Sequence, residues 1–202
     1  MTYREPARTA TRPIPRILVA GLLVGIAAIV AALGYPFLSS AASTAASLHR
    51  GALGEADGAV PDRTTVFDTE IPAVANLDPD LLGALRQAAT DAADDGVGFF
   101  VDSGWRSPEY QRRLLREAIS EHGSEEAARW VATPDTSAHV SGDAVDIGPF
   151  DAAEWLSEHG AGYGLCQIYR NEPWHYELRP EAIEDGCPPL YRDPTHDPRM
   201  QR

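Results

Sequence analysis

Two histidines and an aspartate stand where they could share a metal ion. They are His139 and Asp146, in Ser137-Ala-His139-Val-Ser-Gly142-Asp-Ala-Val-Asp146-Ile-Gly148, and His175, in Asn171-Glu172-Pro-Trp174-His175. Two neutral imidazoles and a carboxylate suit a borderline ion such as zinc, and three protein ligands leave a fourth position for water. Glu172, three residues before the last of them, offers a carboxylate to take the proton of that water during attack. The chemistry so outlined is hydrolysis. Each residue also has a plain structural reading: a histidine is more often at the surface or hydrogen-bonded than a ligand. Asp146 is the exception, because Ala-Val-Asp-Ile-Gly reads as a buried strand and a carboxylate there needs a partner. Gly142 and Gly148 flank it with positions where the backbone can turn sharply or approach a ligand.

The pattern S-x-H-x-x-G-x-A-x-D-I, followed by E-x-W-H, resembles the VanY-type zinc D-alanyl-D-alanine carboxypeptidases. So does the upstream Ser103-Gly104-Trp105-Arg106-Ser107, with Gln111 four residues on, in the form S-G-x-R-S-x-x-x-Q. The three motifs span roughly residues 98–178. The resemblance implies Zn2+ on His139, Asp146 and His175, Glu172 as catalytic base, and Arg106 binding and polarising the substrate. It implies substrate contacts at Gln111, Ser137, Ser103 and Trp174. The implied substrate is the D-alanyl-D-alanine end of a peptidoglycan stem peptide. The motifs leave open two related activities, L,D-carboxypeptidase and L-alanyl-D-glutamate endopeptidase, and a catalytically inactive wall-binding module. A serine enzyme of the penicillin-binding type is excluded, because the chain has no lysine with which to form Ser-x-x-Lys.

The elements that must position these residues read as α+β: a small, mainly antiparallel sheet carrying the ligands, flanked by helices. The strand order comes only from the resemblance. Asp78-Pro79-Asp80 predicts a helix start, with Asp78 as cap and Pro79 in the first turn. Leu81, Leu82, Leu85, Ala88, Ala89 and Ala92 make its apolar face and Gly96 its end. Residues 97–101 read as a buried strand delivering Arg106. Ser107-Pro108 starts a second helix, with Tyr110, Leu114, Leu115 and Ala118 facing the core. Trp130, in a short helix over residues 124–131, reads as packing. Asp151 to Glu154 resembles a capping box, and residues 164–169 and 174–178 read as strands. In the last, a period of two puts His175 and Glu177 on one face.

Bulk properties set the frame. The chain has 202 residues, 44% of them hydrophobic, and a net charge of −13. Such acidity argues against nucleic acid as partner. Residues 1–46 carry four Arg and one Glu, +3, which leaves −16 (−13 minus +3) for the remainder. After a polar, arginine-bearing stretch of residues 1–16, residues 17–38 are uncharged and long enough to span a ~30 Å hydrocarbon core. We expect a cytoplasmic tail over 1–16, a single transmembrane helix over 17–38 and an extracytoplasmic remainder. The small residues after it also admit a cleaved signal, but its hydrophobic run exceeds the usual ~7–15 residues. A linker is expected over 39–63, a peptidase domain over 64–192 and a disordered tail over 193–202. Cys166 and Cys187, in an exported chain, predict a disulfide worth roughly 3 kcal/mol, the alternative being two buried thiols.

Overall fold

The structure is a computed structural model and describes residues 53–201. The expected cytoplasmic tail, the transmembrane helix and most of the linker lie outside the described residues. Among the described residues no helix is long and apolar enough to cross a membrane.

Four strands form one antiparallel sheet in the order β1-β2-β4-β3, with β1 Phe100–Ser103, β2 Ala144–Gly148, β3 Leu165–Gln167 and β4 His175–Leu178. Three longer helices accompany it: α1 Pro79–Asp94, α2 Pro108–His122 and α3 Phe150–His159. The expected α+β class with a small antiparallel sheet is what the chain adopts. Period-two alternation along β2 and β4 divides the sheet into two faces. Val145, Ile147 and Tyr176 point into the hydrophobic core with Leu81 and Leu85 of α1 and Leu156 of α3. Each such side chain contributes about 1.5–3 kcal/mol on burial. The opposite face carries Asp146, His175 and Glu177.

The helix starts at Asp78 and Ser107 form as expected. Asp78 accepts the amides of Asp80 and Leu81, Ser107 accepts that of Tyr110, and a proline follows each cap. Elsewhere the boundaries differ, for local reasons. The strand expected from residue 97 begins at Phe100, because the Val97 amide closes α1 onto the Ala92 carbonyl at 2.8 Å. Helix α3 begins at Phe150 with no side-chain cap, its first amides meeting the Pro149 carbonyl instead of a capping box at Asp151. The α2 face expected in the core is only half-buried, and Gln111 is its one buried residue.

Two expected boundaries are corrected. Residues 54–63, placed in the linker, are folded onto the domain: the Asp57 carbonyl accepts the Ser107 amide at 2.8 Å, and the Thr64 carbonyl that follows them accepts that of Val101 at 2.7 Å. The segment from Asp193, expected to be disordered, forms two 3-10 turns, Pro194–His196 and Pro198–Gln201. It is held because Tyr169 donates to the fully buried Asp197 and Arg199 pairs with Glu177 of β4. The cysteines are bonded, Cys166 to Cys187.

Candidate active site

Register builds the site. Asp146 on β2 and His175 on β4 are direct cross-strand partners, which brings their β-carbons to roughly 4.5–5.5 Å. An irregularity in β1 between Val101 and Ser103 sets Ser103 opposite Asp146, and the chain then leaves the sheet toward Arg106. His139 comes from a single helical turn, Ala138–Ser141, closed by Gly142 at φ 84°. A side chain at Gly142 would be strained by that φ and would strike the Asn76 carbonyl, 2.4 Å from its β-carbon position. The two loops are tied together: the Arg106 amide donates to the His139 carbonyl at 3.0 Å, and His139 Nδ1 meets the Gly104 carbonyl at 2.8 Å.

That last contact commits Nδ1 of His139 and leaves Nε2 free to face the cluster. Nε2 lies 3.3 Å from His175 Nδ1 and 3.4 Å from Asp146 Oδ1, and those two atoms are 3.2 Å apart. A tetrahedral ion with bonds of about 2.0–2.1 Å holds its ligand atoms roughly 3.3–3.4 Å apart. The triangle therefore fits a zinc-sized ion, and all three residues are buried. Electrostatics agree with the donor set. Burial and the nearby Arg106 push the His139 imidazole down, which favours the neutral ligand form. Burial would raise Asp146, but hydrogen bonds and charge from the two histidines hold it well below the usual carboxylate range. Burial would lower His175, but Asp146 and Glu177 outweigh it and push the group up to about 9.

Glu172 stands beside the triangle, with Oε2 3.8 Å from His175 Nδ1. Its Oε1 is buried with no hydrogen-bond partner among the described residues. Burial, reinforced by Asp146 and opposed by His175 and Arg106, pushes its carboxyl up to about 7. A group so poised can take and return a proton near neutrality.

Arg106 is less free than its expected role of substrate binding suggests. Nε donates to Ser103 Oγ at 2.8 Å, Nη1 to Gln111 Oε1 at 3.2 Å and Nη2 to Asp146 Oδ2 at 3.1 Å. It braces a ligand of the cluster and keeps two of its five N–H groups unused by these bonds. Ser103 is thereby a support for Arg106 and is not among the residues lining the pocket. Gln111 lines it and is fixed by donating to the Ala132 carbonyl at 2.9 Å. Ser137 and Trp174 also line this pocket of about 230 Å³, which opens over the cluster.

Six lining residues escaped the sequence reading: Trp130, Ala132, Ala138, Tyr169, Pro194 and Met200. Trp130, expected only to pack, is 44% exposed at the rim. Glu177, which meets His175 Nε2 at 3.3 Å, was signalled by sharing its face of β4. Pro194 and Met200 carry no local signal, because only the folded tail brings them here.

A buried His–Asp–His triangle, two of its members on neighbouring strands and one on a helical turn, with a buried carboxylate beside it defines a metallopeptidase type of site. Residues 74–181 match the family model VanY, D-alanyl-D-alanine carboxypeptidase, and the chain belongs to that family. A D-alanyl-D-alanine carboxypeptidase of Enterococcus faecalis (strain ATCC 700802 / V583) is 30% identical over 139 residues, covering 54% of this chain. The chain spans about half, 52%, of that relative's length. Among solved structures, a mutant of the vancomycin resistance D,D-pentapeptidase VanY from a VanB-type cassette, in complex with Zn(II), is 29% identical with a TM-score of 0.50. The match covers 55% of this chain and 75% of that one. VanYB in complex with D-alanine-D-alanine matches at the same identity and TM-score, over 55% and 74% of the two chains. An LD-carboxypeptidase, LdcB, shares the fold at 23% identity and a TM-score of 0.51, over 65% of this chain and 73% of that one.

Proposed function

We propose that this chain is a zinc-dependent D-alanyl-D-alanine carboxypeptidase that removes the terminal D-alanine of peptidoglycan stem peptides. Residues 17–38 hold it in the cell membrane with the catalytic domain outside. The observation that carries the reading is the triangle of 3.2–3.4 Å edges with the unpartnered Glu172 oxygen beside it. Family membership supports the peptide substrate, as do the Zn(II) and the D-alanine-D-alanine held by two relatives.

Zinc held by His139, Asp146 and His175 would supply Lewis-acid polarisation of the scissile carbonyl and a lowered pKa for the attacking water. Glu172 accepts the proton of that water as it attacks the carbonyl of the penultimate residue, and returns it to the leaving amine of the terminal D-alanine. The buried setting of Glu172, which raises its carboxyl above the usual range, suits its taking and returning a proton. Arg106, held rigid by three side chains, keeps Asp146 oriented and turns its two unused N–H groups to the anionic groups of the substrate. Gln111 and Ser137 offer polar contacts in the pocket, and Trp174 an apolar wall.

The test is incubation of the zinc-loaded full chain with a muropeptide pentapeptide, products being read by mass spectrometry. Loss of one alanine is expected, abolished by chelator and by Glu172→Ala but not by β-lactam, with His139→Ala failing to retain zinc. Cleavage at another stem-peptide bond would keep the chemistry and replace the substrate. No cleavage by zinc-loaded protein would refute the peptidase reading.

A further inference from the structure

The χ2 torsion of a histidine is broad and roughly two-fold, so a ligating imidazole depends on its surroundings for its orientation. His175 Nε2 lies 3.3 Å from Glu177 Oε1, and the Tyr169 ring lies against the imidazole with centroids 5.2 Å apart. Both partners lead to the C-terminal segment. Glu177 is 1% exposed and Arg199 grips it with two bonds, Nη1 to Oε2 at 2.6 Å and Nη2 to Oε1 at 3.1 Å. Arg179 adds a third bond, to Oε2 at 2.6 Å. The Tyr169 hydroxyl donates to Asp197 Oδ2 at 3.0 Å. Asp197, fully buried, accepts from Arg199 Nε at 3.1 and 2.9 Å to its two oxygens. One guanidinium therefore closes both lines of support, and it lies beyond residue 181, where the family match ends.

We propose that Arg199 is a positioning residue for the metal site: it fixes Glu177 and Asp197 and, through Glu177 and the Tyr169 ring, sets the rotation of His175 that presents Nδ1 to His139 and Asp146. The C-terminal segment is thus part of the metal site. A bidentate fork suits this task, since it fixes the plane of the carboxylate as well as its place. The inference rests on the reading of the triangle as a zinc site.

The test titrates Zn2+ alone into the metal-free full chain against a competing chromogenic chelator, with circular dichroism of each metal-free variant. Arg199→Met is expected to weaken zinc binding about 10–100-fold with secondary structure retained. In a Glu177→Gln background the same change is expected to cost little more, because the line of support is already broken. His196→Ala, in the same segment but not touching Glu177, is expected to bind zinc as the parent does. Should Arg199→Met fail to fold, Arg199→Lys, which keeps the charge without the fork, is expected to lose roughly 3–10-fold. Parental affinity in a folded Arg199 variant, or full additivity with Glu177→Gln, would overturn the proposal. Absence of stoichiometric zinc in the parent chain would instead overturn the metal-site reading.

Discussion

Glu172, the proposed proton acceptor, carries a carboxyl whose burial opposes stability. Its pKa is raised by burial from 4.5 to about 7 in the folded, metal-free protein. The folded state then binds more protons than the unfolded one between those values, so stability falls as pH rises through this window. The penalty is complete above about pH 7 and absent below about 4.5. Glu172→Gln removes the charge and keeps the shape. We expect the metal-free variant to be more stable than the parent by roughly 1–3 kcal/mol at pH 8, with the gain shrinking toward pH 4.5, as read by urea denaturation across that range. The same variant is expected to lose about 10²–10⁴-fold in turnover. A gain that grew as the pH fell would contradict this account of the carboxyl.

At the level of elements, the site is a junction of loops braced by neighbours that come before them in the chain. The Trp105 amide donates to the Ala73 carbonyl at 2.8 Å, and the Asp78 amide to the Gly142 carbonyl at 2.9 Å, so residues 73–78 hold both the Arg106 loop and the His139 turn. The stretch before them does the same through Asp57 and Gly58. Gly58 has φ 101°, and a β-carbon there would sit 2.2 Å from the Trp105 carbonyl oxygen. Gly58→Ala thus combines a disfavoured backbone with a clash against main chain. We expect a loss of about 1–3 kcal/mol and a lower kcat/KM through displacement of Arg106, measured by thermal melting and peptide hydrolysis. A soluble form begun at residue 64 would lack this brace, whereas one begun at residue 53 would keep it.

For the whole molecule, two cross-links tie the C-terminal stretch to the sheet. One is the Arg199 pairing with Glu177. The other is the Cys166–Cys187 bridge, with a sequence separation of 21, whose constraint on the unfolded chain is worth roughly 3 kcal/mol. Replacing both cysteines by alanine is expected to lower Tm by about 6–12 °C for a domain of this size, as seen by calorimetry. Metal provides a third constraint, by mass action. At zinc 100-fold above its Kd the folded state gains about 2.7 kcal/mol, so chelation is expected to lower Tm by roughly 5–11 °C. A Tm indifferent to chelator would show that the ion is not held by the folded state.

What the residues alone determined was local or periodic. Two caps with proline after them placed α1 and α2, alternation placed the faces of β4, and an aspartate stranded in an apolar run marked itself as needing a partner because burying it unpaired is costly. Two cysteines in a chain read as exported favoured the disulfide over two buried thiols, and the structure has it. The ligand triangle was legible because its members sit in short motifs of recognisable form. Tertiary structure decided the rest. That Arg106 braces Asp146 rests on a contact between residues 40 apart in sequence. That residues 54–63 and 193–201 fold onto the domain rests on buried hydrogen bonds and ion pairs to distant partners. Proline- and charge-rich composition reads as disorder only while those partners are unknown. Arg199 and Asp197 look like solvated charges in the chain, and become a clamp, half-buried at Arg199 and buried at Asp197, once the sheet supplies Glu177 and Tyr169 for them to hold.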